Sequence, residues 1–257
     1  MKLATFNVNS LRARMGPLEH FVATVKPDVI ALQETKLTDA LFPADALRSL
    51  GYPHLAWTGQ PTYNGVALLS RLPLEDVTTT MGDGLDDDQR RFIAARVADV
   101  TVVNVYVPNG QAVGTDKFRY KLGWLDRLIA NMSRRDLTGS AVALMGDFNI
   151  APGDSDVWDP FVWDGQILTH PEERRRFQAL LALGLTDAWR HQHPYETSFS
   201  WWDYQRMGWP RNQGLRIDHV LLSAPAMARC RGTVIHKEIR GGPTPSDHAP
   251  VVVELSG

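Results

Sequence analysis

Cysteine is nearly absent: Cys230 is the single one in 257 residues, so no internal disulfide can form. That suits a reducing compartment, the cytoplasm, with Cys230 as a buried inert thiol. No apolar run approaches the roughly 20 residues that a membrane span needs, so no membrane partner is expected. The start, Met1-Lys2-Leu3-Ala4-Thr5-Phe6-Asn7, turns polar too early for a signal peptide. An excess of positive charge is also missing. The formal net charge is −2, whereas nucleic-acid binders are often basic. Carboxylates gathered at one site can lower the total while another face stays basic. Serine/glycine linkers, low-complexity tracts and fixed-period repeats are lacking too, so residues 1–257 read as a single domain. That length is ordinary for one large β-sandwich or barrel and buries a core without staples.

Strand signals are frequent and rich in β-branched residues, at Leu3–Val8, Val29–Gln33, Val66–Ser70, Ile93–Val97, Thr101–Val107, Ala141–Gly146, Ile217–Leu222 and Val251–Leu255. Several are continuous apolar runs, expected where both faces of a sheet are covered. Three helical stripes fall between them. Leu18, Phe21, Val22 and Val25 precede Pro27; Phe118, Leu122, Leu125 and Ile129 form the second; Phe177, Leu180 and Leu181 precede a cap at Gly184. This mixture predicts two sheets packed face to face with helices outside.

Polar residues stand at the strand ends, where a rigid scaffold can present them: Asn7 and Asn9, Gln33 and Glu34, Tyr106 and Asn109, Asp147 and Asn149, Asp218, and Asp247-His248. Singly, a strand-end Asn or Asp usually caps a turn; it is their conjunction that points to chemistry. No cysteine cluster or HExxH spacing marks a zinc site, and no Walker loop or GxSxG marks NTP-driven or serine-hydrolase chemistry. Hard divalent cations take oxygen ligands, and Mg²⁺ takes one or two carboxylates plus water and phosphate. Glu34 fits that role, with Asn7 and Asp247 assisting. Phosphodiester hydrolysis needs an oriented water and charge stabilisation on the phosphoryl oxygens. Asp147 is the candidate base, Asn149 and His248 are candidate donors to the phosphoryl oxygens, and Asp218 is the candidate orienter of His248.

At these residues the chain resembles the exonuclease III family of AP endonucleases, bacterial branch, within the endonuclease/exonuclease/phosphatase superfamily. The matching stretches are Phe6–Ala13, Ala31–Lys36, Tyr63–Ala67, Tyr106–Gly110, Gly146–Asn149, Gly214–Asp218 and Pro245–Pro250, with Lys117–Leu122 and Ser155–Pro160 closest to the bacterial branch. The resemblance implies an α/β fold, a four-layer α/β/β/α sandwich of two mixed β-sheets, DNase I-like, with the site at one rim. It implies Glu34 as principal metal ligand, with Asn7 and Asp247 nearby and Asn9 in an outer or second position. Tyr106, Asn109, Asp147, Asn149, Asp218 and His248 then form the catalytic set. Whether Asp147 or Tyr106 handles the proton, and whether one metal ion or two bind, stays open. The implied activity is Mg²⁺-dependent incision 5′ to abasic sites in duplex DNA, with 3′→5′ exonuclease and 3′-end trimming, Mn²⁺ being able to substitute. The implied partner is double-stranded DNA with abasic sites or blocked 3′ ends, met by a cytoplasmic bacterial monomer working at the nucleoid without an obligate protein partner.

Two other readings share parts of this pattern. A phosphatase of small phosphate esters would keep the Glu34, Asp147, Asn149, Asp247 and His248 core; a DNA-binding module without catalysis would lose the ligands and the Asp-His pair first. The aromatic segment Phe199–Tyr204, followed by Arg216, favours DNA, because in the AP-endonuclease branch this region walls a pocket for a base-free sugar. Trp201 and Leu215 are assigned to that pocket and Trp202 to the core. The loop at 204–213 supplies Arg206, Met207, Trp209 and Arg211 as DNA contacts, the bland reading being a surface loop with Trp209 packed beneath it. The pairs and triplet Arg90-Arg91, Arg134-Arg135 and Arg174-Arg175-Arg176 read as solvated faces.

Overall fold

The computed structural model describes residues 1–85 and 87–257; the side chain of Arg206 also lies outside the described residues. Twelve strands are formed among them: β1 (Lys2–Asn7), β2 (Val29–Gln33), β3 (His54–Thr58), β4 (Val66–Ser70), β5 (Leu74–Thr78), β6 (Phe92–Val97), β7 (Val100–Tyr106), β8 (Ala141–Asp147), β9 (Leu185–Asp187), β10 (Asp218–Ser223), β11 (Cys230–Ile235) and β12 (Val251–Leu255). They make two six-stranded sheets, β11-β12-β1-β2-β4-β3 and β5-β6-β7-β8-β10-β9. Each sheet is mixed, because β1 runs parallel to β2 and β7 parallel to β8 while their other neighbours are antiparallel.

Side-chain alternation explains the layers. On β8, Ala141, Ala143 and Met145 face the other sheet, whereas Val142 and Leu144 face outward to helices. On β2, Val29 and Ala31 point inward and Ile30 and Leu32 outward. Both faces are apolar because both are covered, which is why these strands read as continuous runs. The helix Met15–Val25 lays Leu18, Phe21, Val22 and Val25 on the first sheet and ends at the left-handed Lys26, just before Pro27. Helices Asp116–Ser133 and Pro171–Ala182 cover the second sheet. Thr115 caps the former by accepting from the Phe118 N–H at 3.2 Å. The result is the four-layer α/β/β/α sandwich that the resemblance implied.

The second helical stripe is rotated from its expected position. Lys121, Trp124, Leu125 and Leu128 are buried, while Leu122 and Ile129 are only partly so. A buried lysine in that face broke the apolar pattern on which the expectation rested. Gly184, at φ +103°, follows the helix Pro171–Ala182 and donates its N–H to Leu181, as expected for a C-terminal cap. Among the described residues, no helix is long and apolar enough to cross a membrane.

Candidate active site

The two parallel pairs end on the same rim. Asn7 pairs with Gln33 at the end of β1/β2, Tyr106 with Asp147 at the end of β7/β8, and Asp218 at the start of β10 with Asp147. The chain turns sharply just beyond these ends. Asn9, Glu34 and Asn149 have φ of 43°, 53° and 49°, in the left-handed region that non-glycine residues seldom adopt. Such backbone persists where the surroundings over-determine it, often at functional sites.

Hydrogen bonds tie the rim into one network. Asn7 Nδ2 donates to Glu34 Oε1 and to Asp147 Oδ2, both at 2.9 Å, while its Oδ1 accepts the Asn9 N–H at 2.9 Å. Asn7 therefore bridges carboxylates of the two sheets with its nitrogen, and its oxygen is taken by the backbone. Asn9 Nδ2 donates to Asp247 Oδ1 at 2.9 Å. Lys36 Nζ reaches Asn9 Oδ1 and also lies 2.9 Å from Glu34 Oε2. Trp201 Nε1 donates to Asp247 Oδ2 at 3.0 Å. Asp147 accepts the Asn149 N–H at 2.8 Å and Asn149 Nδ2 at 3.2 Å. Asn149 Nδ2 also reaches Val107 O, and its Oδ1 accepts from Asn109 Nδ2 at 3.1 Å. On the other side His248 Nδ1 lies 2.9 Å from Asp218 Oδ2, and its Nε2 lies 3.8 Å from Asp147 Oδ2. Ser200 Oγ donates to the same Asp218 oxygen at 2.7 Å.

Burial makes these charges interact strongly. Desolvation, aided by the neighbouring Asp218 and Glu34 charges and opposed by His248 and Asn7, pushes the Asp147 carboxyl up to about 7. For His248, burial opposes the charged ring, but the Asp218 and Asp147 carboxylates outweigh it and push the imidazole up to about 10. Burial, then the Glu34 charge, hold the Tyr106 phenol well above its ordinary value, so it is a neutral donor at physiological pH.

A cavity of about 280 Å³ opens onto this network, with Glu34, Asn109, Asp147, Asn149, Asp247 and His248 on its polar side. Tyr106, Trp201, Ile217, Trp163, Ile167 and Leu168 supply the rest of its wall. A second groove of about 570 Å³ shares Glu34, Tyr106 and Asn109 and runs out past Tyr63, Arg91 and Lys117. All ten residues assigned to catalysis and metal binding thus meet at one rim. The DNA-contact assignments divide. Trp201 walls the cavity, but Leu215 is fully buried beneath it, and Ile217 stands where Leu215 was expected. Met207 and Arg211 are exposed, whereas Trp209 packs edge-on against Trp202 at 4.7 Å and lies under Arg240. Arg216 is buried between Asp156 and Asp187, away from any DNA surface. The sequence alone gave no role to Lys36, two residues beyond Glu34, and marked Arg91 as part of a solvated face, whereas it stacks on the Tyr106 ring at 4.5 Å and lines the groove. Trp163, Ile167 and Leu168 are apolar and so carried no polar signal that could have marked them as cavity wall.

Glu34, Asp147 and His248 bring polar atoms within 4.8 Å of one another, and with His248 charged it is the two carboxylates of this cluster that can hold a metal ion. The donor chemistry fits a hard cation: the carboxylates supply oxygen, and the chain's one thiol, Cys230, sits on β11. The Lys36 ammonium already resting on Glu34 shows that this carboxylate attracts a cation.

Residues 4–248 match the model of the Endonuclease/Exonuclease/phosphatase family. The chain is 36% identical to exodeoxyribonuclease III of Haemophilus influenzae, over 99% of this chain and 100% of that protein. It superposes on NExo, a 3′ phosphatase from Neisseria solved with a product DNA hairpin, with TM-score 0.96, 43% identity and full coverage of both chains. It superposes on an AP endonuclease from Archaeoglobus fulgidus with TM-score 0.95, 34% identity and full coverage of both chains.

Proposed function

The chain belongs to the endonuclease/exonuclease/phosphatase family, and from that membership we propose that it is a Mg²⁺-dependent DNA-repair phosphodiesterase. It trims blocked 3′ ends of duplex DNA, with 3′→5′ exonuclease activity, and incises the strand 5′ to abasic sites. The relatives described as exodeoxyribonuclease III, 3′ phosphatase and AP endonuclease support the DNA substrate. The observation that carries the reading is the meeting of Glu34, Asp147, Asn109, Asp247 and His248, the last backed by Asp218, in one cavity. We take the protein to work as a cytoplasmic monomer.

The roles follow from the hydrogen bonds. Asp147, held by Asn7 and Asn149, faces the cavity and accepts the proton of the attacking water. His248, charged and with Nδ1 engaged by Asp218, directs Nε2 to a phosphoryl oxygen. Asn149 uses its amide hydrogens on Asp147 and Val107, so its part is to orient Asp147 and Asn109. Asn109 keeps one amide hydrogen for the phosphate. Tyr106, as a neutral phenol, donates from the other side. Glu34 and Asp147, with Asp247 linked to them through Asn9, would hold Mg²⁺, which when bound supplies charge stabilisation to the phosphoryl and leaving oxygens.

The test compares turnover on four substrates: a duplex with a 3′-phosphate end, a duplex with one abasic analogue, an intact duplex and an inositol phosphate. Hydrolysis of the first two should require Mg²⁺ and stop on chelation, with the inositol phosphate untouched. Faster turnover of the inositol phosphate, or incision that survives chelation, would overturn the proposal.

A further inference from the structure

Behind the cavity wall lies a charged pair to which the chemistry above gives no part. Lys121, on the helix Asp116–Ser133, and Glu173, on the helix Pro171–Ala182, are ion-paired and both fully buried. A lysine ammonium has three N–H donors, and here each has a partner. One goes to Glu173, one to Asn149 O at 2.6 Å and one to Asn109 O at 3.1 Å. Those carbonyls belong to the two asparagines that face the cavity from the loops after β8 and β7. Glu173 in turn accepts from the N–H groups of Leu168 and His170, at 3.3 and 3.0 Å, and Leu168 is cavity wall. The lysine stem is packed as closely as its head. A Cβ at Gly110, where φ is +90°, would come within 3.1 Å of Lys121 Cδ and 2.9 Å of Ile167 Cδ1.

A buried charge pair is weak evidence for stability, since apolar residues of similar volume often do as well. What this pair does that apolar residues cannot is hold two main-chain carbonyls at fixed points. Asn149 needs such a hold, because its backbone sits at φ 49°. Its side chain also orients Asp147 and Asn109, so a small rotation of this turn would move a base and a phosphate donor together.

We infer that Lys121 and Glu173 are positioning residues, which from behind the cavity fix Asn109, Asn149 and the Leu168 wall in register for attack on the phosphate. The inference rests on the phosphodiesterase reading for its kinetic consequence but not for its structural one.

The test uses the double variant Lys121→Met/Glu173→Gln, which removes both charges at similar volume and keeps an acceptor for one of the Leu168 and His170 N–H groups. Turnover on a 3′-phosphate duplex should fall at least about tenfold with KM little changed, as expected when reacting groups lose alignment. In an Asn149→Ala background the same double change should cost less than it does in the wild type, because the part of its effect that passes through the Asn149 side chain is already lost. The side-chain amide NMR signals of Asn109 and Asn149 should shift or broaden while that of Asn9, which donates to Asp247 rather than Asp147, stays in place. That readout needs no substrate, so it stands even if the DNA reading fails. Unchanged amide signals, unchanged turnover, or losses additive with Asn149→Ala would each overturn the inference. If this variant does not fold, Lys121→Gln/Glu173→Gln, which keeps an uncharged amide donor at 121, takes its place. Failure of both to fold would make the pair a determinant of the fold and would likewise overturn it.

Discussion

Two donors, the ring N–H of His248 at Nδ1 and the hydroxyl of Ser200, converge on Asp218 Oδ2, while the buried Oδ1 has no hydrogen-bond partner. An asparagine at 218 would keep its oxygen where both donors point and place its nitrogen in the unpartnered position. Asp218→Asn therefore preserves geometry and removes charge alone. His248→Ala removes the donor itself and should lower turnover on the order of a hundredfold or more, the usual cost of a lost electrostatic or proton-transfer group. Asp218→Asn should lose about tenfold, a milder loss of charge at the same site. Steady-state rates on an abasic duplex check the order, and a greater loss in Asp218→Asn would reverse the two roles. The chemistry of this site was legible in the sequence because its residues stand at strand ends, where an apolar run stops at a polar side chain. What the sequence could not give is the direction in which an amide faces. Asn7 read as an oxygen ligand and Asn149 as a phosphate donor, yet each turns its nitrogen to a carboxylate.

Between residues 203 and 213 the loop presents two surfaces. Tyr204 accepts from Arg14 and donates to Pro245 O, and Arg240 lies over the rings of both Tyr204 and Trp209, so the loop is fastened from beneath. Met207 is 60% exposed and Arg211 is exposed as well. Met207→Ala/Arg211→Ala should thus weaken duplex affinity and reduce the salt slope by about 1, one phosphate contact, with thermal stability unchanged. Trp209→Ala should do the reverse, costing about 2 kcal/mol of stability, below the full-burial range for tryptophan because the ring is only partly buried. Affinity across a salt series beside thermal unfolding separates them; an unchanged salt slope in the double variant would remove the loop from the DNA surface. Strands show a similar division by exposure. The eight expected from sequence are the interior strands β1, β2, β4, β6, β7, β8, β10 and β12, and the four missed, β3, β5, β9 and β11, are the four sheet edges. Interior strands carry mostly apolar runs because both faces are covered. Edge strands such as Leu74–Thr78 and Cys230–Ile235 are short, half-exposed or bulged, and their residues do not alternate cleanly.

At the scale of the whole molecule, a net charge of −2 reflects 27 Lys and Arg residues against 29 carboxylates, and one arginine triplet is paired with carboxylates locally. Arg174, Arg175 and Arg176 pair with Asp154, Glu172 and Asp126; Arg175 is exposed as expected of a solvated face, whereas Arg174 and Arg176 are largely covered. Arg216 is different, being buried beneath the site with Asp156 and Asp187 as partners and His219 at 2.9 Å. This cluster joins β9, β10 and the segment at Asp154–Asp156, and through Ile217 it adjoins Asp218. Burial opposes ionisation of Asp187, but the Arg216 charge, with His219, holds its carboxyl far below the usual range; Asp156 is lowered likewise by Arg216 and Arg190. The sign follows from linkage: a carboxyl whose folded value lies below its unfolded value of about 3.9 adds stability that is complete above that pH. The contribution drains away as pH falls from there through the folded value. Asp187→Asn leaves Arg216 with one carboxylate partner and should cost about 3 kcal/mol at neutral pH, the usual scale for breaking a buried pair. The gap between wild type and variant should be flat from about pH 8 to 5 and narrow by about 1 kcal/mol near pH 3, roughly one unit below the unfolded value. Urea unfolding across that range measures it. A gap that closes already between about pH 5 and 6, or one that widens in acid, would show that the Asp187 carboxyl is not held low by Arg216.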